Sequence, residues 1–125
     1  MANPNIVNVT TIYGNSSQTS LTTTSATSLV SNAASSGKVY KINSIVVANV
    51  DGTSAADVTI SIYSQASLGG TAYPIASTIS VPADATLIVT DKTTSFYLLE
   101  NQSIGATAGT ASDLVVTASW EEINS

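Results

Sequence analysis

Apolar and polar residues alternate with a period of two along almost the whole chain. Helical spacing is nearly absent, so the pattern predicts strands. Residues 57–64, DVTISIYS, show it most cleanly, with Val58, Ile60 and Ile62 on one side and Thr59 and Ser61 on the other. Residues 38–50, KVYKINSIVVANV, put Tyr40, Ile42, Val46, Ala48 and Val50 on one face and Ile45 and Val47 on the other. That predicts a strand whose middle is buried on both sides. Residues 5–13 read as a strand with Val7, Val9 and Thr11 on one face, followed by a turn at GNSSQTS. The Thr-rich residues 20–30 suit an exposed or edge strand. Residues 72–81 align Ile75, Ile79 and Val81, and Pro74 restricts that strand to an edge or places the proline at its start. After a turn at Pro82–Ala85 come a strand at 86–90 and two short strands around Glu100-Asn101. Residues 113–123 follow, with Leu114, Val116, Ala118 and Trp120 on one face.

Eight or nine short strands with turn signals every ~8–12 residues predict an all-β fold. The expected form is a single antiparallel β-sandwich, Ig-like or jelly-roll. Residues 1–37 are Ser-, Thr- and Asn-rich and form an N-terminal arm. The arm either joins the sandwich or reaches onto a neighbouring subunit. Residues 38–125 are the sandwich core.

Composition narrows the function. Charged residues make up only 9% of the chain, against about a quarter in typical globular domains. Hydroxyls supply the polarity instead, through 20 Ser and 18 Thr. A surface so weakly charged suits a protein packed in an assembly. The net charge is −5, and Lys38, Lys41 and Lys92 are the only basic side chains. No basic patch can form for phosphates or anionic lipid, so neither nucleic acid nor membrane is expected as a partner. The first residues, MANPNIVNVTT, show no basic segment followed by an apolar one, so synthesis in a host cytoplasm without secretion is expected.

The chain has no His and no Cys, which removes the usual catalytic bases and nucleophile pairs. Gly37-Lys38 fails as a phosphate loop because Asn32 and Val39 stand where the motif needs Gly and Ser or Thr. Glu121 and Glu122 are neighbours on a strand and point to opposite faces, so they do not form a facing acid/base pair. No catalytic residue, resident metal or cofactor is expected. Asp51 and Asp57 could begin a calcium loop, but two carboxylates fall short of the six to eight oxygens calcium takes.

Asp51-Gly52 reads as the start of a hairpin loop between residues 38–50 and 57–64. Its tip, Thr53, Ser54, Ala55 and Ala56, is short and uncharged, which suits contact with another subunit. Asp51, Gly52, Thr53, Ser54, Ala55 and Ala56 are therefore interface candidates. Tyr63 and Tyr97 lie out of phase with their apolar neighbours and join them, either as contact residues or as rings that stack on a sugar.

From residue 39 onward the strand-and-turn pattern resembles that of a known group. The carrying stretches are Tyr40 to Asn49, Val81-Pro82-Ala83, Leu98 to Ile104 with Glu100, and Val116 to Ile123. They resemble small β-sandwich structural proteins of tailed bacteriophages, particularly of marine cyanobacterial myoviruses. The resemblance implies a virion component, first a head decoration (cement) protein that stabilises the capsid by non-covalent contacts. A tail, neck or fibre protein, or a carbohydrate-binding module for host attachment, is the alternative. The implied partners are the major capsid protein or another virion protein, and further copies of the chain in a homo-oligomer, with a trimer favoured.

Overall fold

The computed structural model describes residues 4–125. They form nine strands: β1 (Thr11–Ser20), β2 (Thr27–Asn32), β3 (Lys38–Asn49), β4 (Ala56–Gln65), β5 (Gly69–Val81), β6 (Thr86–Thr90), β7 (Phe96–Leu98), β8 (Gln102–Ala108) and β9 (Leu114–Asn124). A single 3-10 turn, Lys92–Thr94, separates β6 from β7. One antiparallel sheet runs β1-β9-β3-β6, with β7 also paired to β3. The other runs β2-β8-β4-β5.

Successive strands mostly change sheets. The pair β1–β2 therefore lies against β8–β9, and β3–β4 lies against β5–β6. This is the jelly-roll winding of a sandwich, and it sets the Ig-like alternative aside. The two strands drawn from residues 1–37 are the edge strands β1 and β2, paired to β9 and β8. The first three residues of that arm lie outside the described residues.

The core fills the space between the sheets with Ile42, Ile45, Val47, Val58, Ile60, Leu98, Ile104, Leu114 and Val116, all essentially buried. Each such side chain contributes roughly 1.5–3 kcal/mol when buried. Strands β4 and β9 keep the expected inward faces, with Trp120 and Ile62 at the core margin.

Strand β3 departs from simple alternation. Its register against β9 shifts between Ile42 and Ser44. The extra residue turns the strand by one position, as a bulge does. Tyr40 and Ile42 face inward as expected, but beyond the bulge Ile45, Val47 and Asn49 face the core. Val46 and Ala48 are only half-buried and Val50 is exposed, so the face read from the sequence ends at Ile42.

Three further expectations fail. Residues 5–10 are not in a strand, whereas GNSSQTS lies wholly inside β1, in unbroken register with β9. Residues 50–55 do not close a hairpin either, because β3 and β4 belong to different sheets. Their connection crosses the end of the sandwich. Strand β5 is an edge strand, as Pro74 requires, but Ile75 and Ile79 are largely exposed and only Val81 is buried.

Candidate interaction surface

The 50–55 crossover is built by side chains that bond back to the main chain. Asp51 Oδ1 accepts from the Thr53 N–H and the Thr53 hydroxyl, both at 2.9 Å. Such a ring mimics a backbone turn. Gly52 adopts no left-handed conformation, so the turn depends on this ring and not on glycine's freedom. The same bonds favour the ionised carboxylate and hold the Asp51 pKa below the usual carboxylate range. Asp91 and Thr93 repeat the arrangement at the start of the 3-10 turn, with the same downward shift.

Asn49 fastens the crossover to the rest of the fold. It is buried, and its Nδ2 donates to the carbonyls of Ser54 and Val81, both at 2.9 Å. Its Oδ1 accepts from the Asp51 N–H. Asn32 does similar work where β2 leaves for β3, donating to the Lys38 carbonyl and accepting from the Ser36 hydroxyl.

Three other connections meet the crossover at this end of the sandwich. The Asp84 N–H donates to the Asp51 carbonyl, the Val50 N–H to the Asp113 carbonyl, and the Ser112 N–H to the Leu21 carbonyl. The Gly109 N–H donates to the carbonyl of Asp57 at the foot of β4. Asp51, Asp57, Asp84 and Asp113 are thus gathered at one end, with no lysine among them. That is four of the eight acidic residues; the other four share the rest of the molecule with all three lysines. Sequence spacing gave no sign of this, because the four are brought together only by the crossovers. Residues 52–55 are uncharged, but they sit in an acidic surround that begins with Asp51.

The candidate residues are partly assembled by the fold. Asp51, Gly52, Thr53, Ser54 and Ala55 form one accessible tip. Ala56 is only 3% exposed and packs in the core, so it leaves that surface. Among the described residues, no three acidic groups stand close enough together to hold a metal ion, and Asp57 belongs to β4 and not to the tip.

Tyr63 and Tyr97 lie on different sheets, in β4 and β7, so one sugar platform cannot use both rings. Tyr63 is half-buried beside Leu68 over Gly105. A Cβ at Gly105 would lie 2.9 Å from the Tyr63 ring and 2.7 Å from Leu68, so glycine there makes room for the pair. Tyr40 stacks on Trp120 with centroids 6.2 Å apart. Burial, then the charge of Glu122 and a hydrogen bond to it, raise the Tyr40 pKa. Glu122 also pairs with Lys38 at 3.4 Å, while Glu121 accepts from Asn43.

A groove of about 230 Å³ opens between β5 and the β6–β7 edge, lined by Ile75, Val89, Thr90, Thr94 and Phe96. No helix among the described residues is long and apolar enough to cross a membrane.

No protein-family model and no curated protein matches the chain. Solved structures of similar fold include a chain in the acid-stable capsid of the Helicobacter pylori bacteriophage KHP30. It is 10% identical, with a TM-score of 0.53, over 93% of this chain and 90% of that one. A chain of the disulfide-linked pili that form Bacillus endospore appendages is 19% identical, with a TM-score of 0.49, over 100% of this chain and 96% of that one. At 10% identity the likeness to the capsid chain speaks for the fold alone. Nothing in the matches bears on cyanobacterial myoviruses.

Proposed function

We propose that this chain is a structural subunit of a bacteriophage particle, one that decorates the head and stabilises it by non-covalent contacts with capsid subunits. The observation that carries the reading is the likeness of fold to a chain of a phage capsid structure over nearly the full length of both. A fold hosts many functions, so the surface must agree with the role. It does so in two ways. The polar surface is weakly charged, and the 51–55 tip projects from a rigid end where Asn49 and backbone bonds fix it. A rigid, repeated contact stabilises a shell because many weak copies act together.

The site of action would be the virion, and the contact would fall at the acidic end. A capsid surface that received this tip would therefore be neutral or basic. Mass spectrometry and cryo-EM of purified particles test the proposal. The expected result is this chain on the outer shell, in a copy number that tracks the capsid subunits. A few copies at the tail or neck would replace decoration with the tail reading, and absence from the particle would overturn the role altogether.

A further inference from the structure

The charges of this chain avoid its edges. Sheet edges normally carry lysines, other charges or bulges that stop a second chain from pairing there. Here the edge strands are β1 and β2 on one side of the sandwich and β5, β6 and β7 on the other. None of the five contains a charged residue, and β1 runs without a bulge, although β2, β5 and β6 pair with register shifts and β5 carries Pro74. The charged side chains that lie in strands are Lys38, Lys41, Asp57, Glu121 and Glu122, all on the interior strands β3, β4 and β9.

Most exposed apolar residues show the opposite distribution, with Val50 and Leu99 on connections as the exceptions. On the first side, Ile12 (55% exposed) and Tyr13 stand on β1, just after a leading segment in which Ile6 is half-exposed and Val7 is 91% exposed. On the second side, Tyr73, Ile75 and Ile79 stand on β5, Ile88 (61% exposed) on β6 and Tyr97 on β7. The interior strands β3, β4, β8 and β9 carry no large exposed apolar residue. The groove lined by Ile75, Val89 and Phe96 opens on that second side.

We infer that the partner at these edges is a second copy of this chain, joined head to tail. The β1–β2 side of one copy meets the β5–β6 side of the next, and the Ile6–Val7 segment supplies apolar side chains for the groove. Backbone and charge both select a second copy. Each side offers unpaired strand backbone, and the natural complement of an open edge is another open edge. Every copy also carries −5, so copies repel one another least through the edge strands, which carry no charge; on the second side only the opposite charges of Asp91 and Lys92 stand nearby, in the turn between β6 and β7. The two sides differ in sequence and shape, so the contact is heterologous and repeats into a ring or an open array. The inference rests on the proposed structural role only in taking the chain to work in an assembly.

Substitutions on opposite sides test it. Ile12→Lys and Ile88→Lys each place a charge on one edge at a position more than half exposed, where the core is untouched. Tyr13→Lys and Ile75→Lys provide a second pair. Circular dichroism verifies that each variant is folded, and analytical ultracentrifugation reads its mass. The purified natural chain is expected to associate as concentration rises, and each single variant to stay monomeric. An equimolar mixture of Ile12→Lys and Ile88→Lys is expected to form a dimer and go no further, because each variant keeps one competent side. In that dimer, hydrogen exchange should slow at edge-strand amides. A natural chain that stays monomeric to its solubility limit overturns the contact. So do edge variants that associate as the natural chain does, or a single variant that dimerises with itself, which would mean a symmetric contact. A monomeric natural chain leaves incorporation into particles open, and absence from particles leaves the edge contact standing.

Discussion

Asn49 shows how much one polar residue can decide. It lies at the end of β3, where an apolar residue would fit the alternation, yet it is buried and makes three hydrogen bonds to main-chain groups. Buried carbonyls left without donors are costly. Asn49→Ala would strip donors from Ser54 and Val81 together, and a loss of roughly 1–3 kcal/mol is expected in denaturant unfolding. The same change frees the tip, so faster hydrogen exchange at residues 51–55 should accompany it. A variant as stable as the natural chain would show that water replaces the side chain. The sequence displays Asn49 only as a polar residue before a turn; its role depends on Val81, thirty-two positions away.

At the scale of elements, strand identity was far easier to read than strand phase. β4 and β9 follow from alternation because each buries one regular face. β3 misleads because the bulge near Asn43 reverses its phase, and both of its faces are rich in Val and Ile. Mutation separates the two phases. Ile45→Ala should cost about 2–5 kcal/mol, as an isoleucine truncated in a packed core does. Val46→Ala should cost a small fraction of that, and the opposite ranking in thermal or denaturant melts would restore the unbulged strand. β1 misleads for another reason. As an edge strand it buries little, so Gly14, Asn15, Ser16 and Ser17 carry no apolar signal and look like a turn. What holds them extended is ten residues of backbone pairing with β9, which side chains do not encode. The 51–55 tip was legible as a turn, but its neighbours Asp84 and Asp113 were not, since only the winding of the sheets brings them near.

The whole molecule combines a hydroxyl-rich surface with an uneven charge pattern, and pH should reveal both limits of its stability. Asp51 and Asp91 have lowered pKa values in the fold. The unfolded chain therefore takes up protons first, and their contribution, present above about pH 4, is lost as pH falls through the folded values. Tyr40 has a raised pKa, so its contribution is full below about pH 10 and is lost as pH rises through the folded value. A broad plateau with a fall on each side is expected in urea melts across pH. Tyr40→Phe should make the alkaline fall shallower and leave the acid side unchanged; identical alkaline limbs would remove Tyr40 as its cause.

The last strand in the sequence occupies the middle of its sheet. β9 lies between β1 and β3 and is the hydrogen-bonded neighbour of both. Until it emerges, β1 has no paired strand among the described residues, and β3 has only the short β6 and β7. Synthesis therefore cannot complete the sandwich piece by piece. Closing it brings residue 11 to residue 124, a long-range pairing of the kind that makes folding slow. During that interval a nascent chain holds uncharged strands open to its neighbours, so timing, as well as geometry, decides whether those strands first meet their own chain or another.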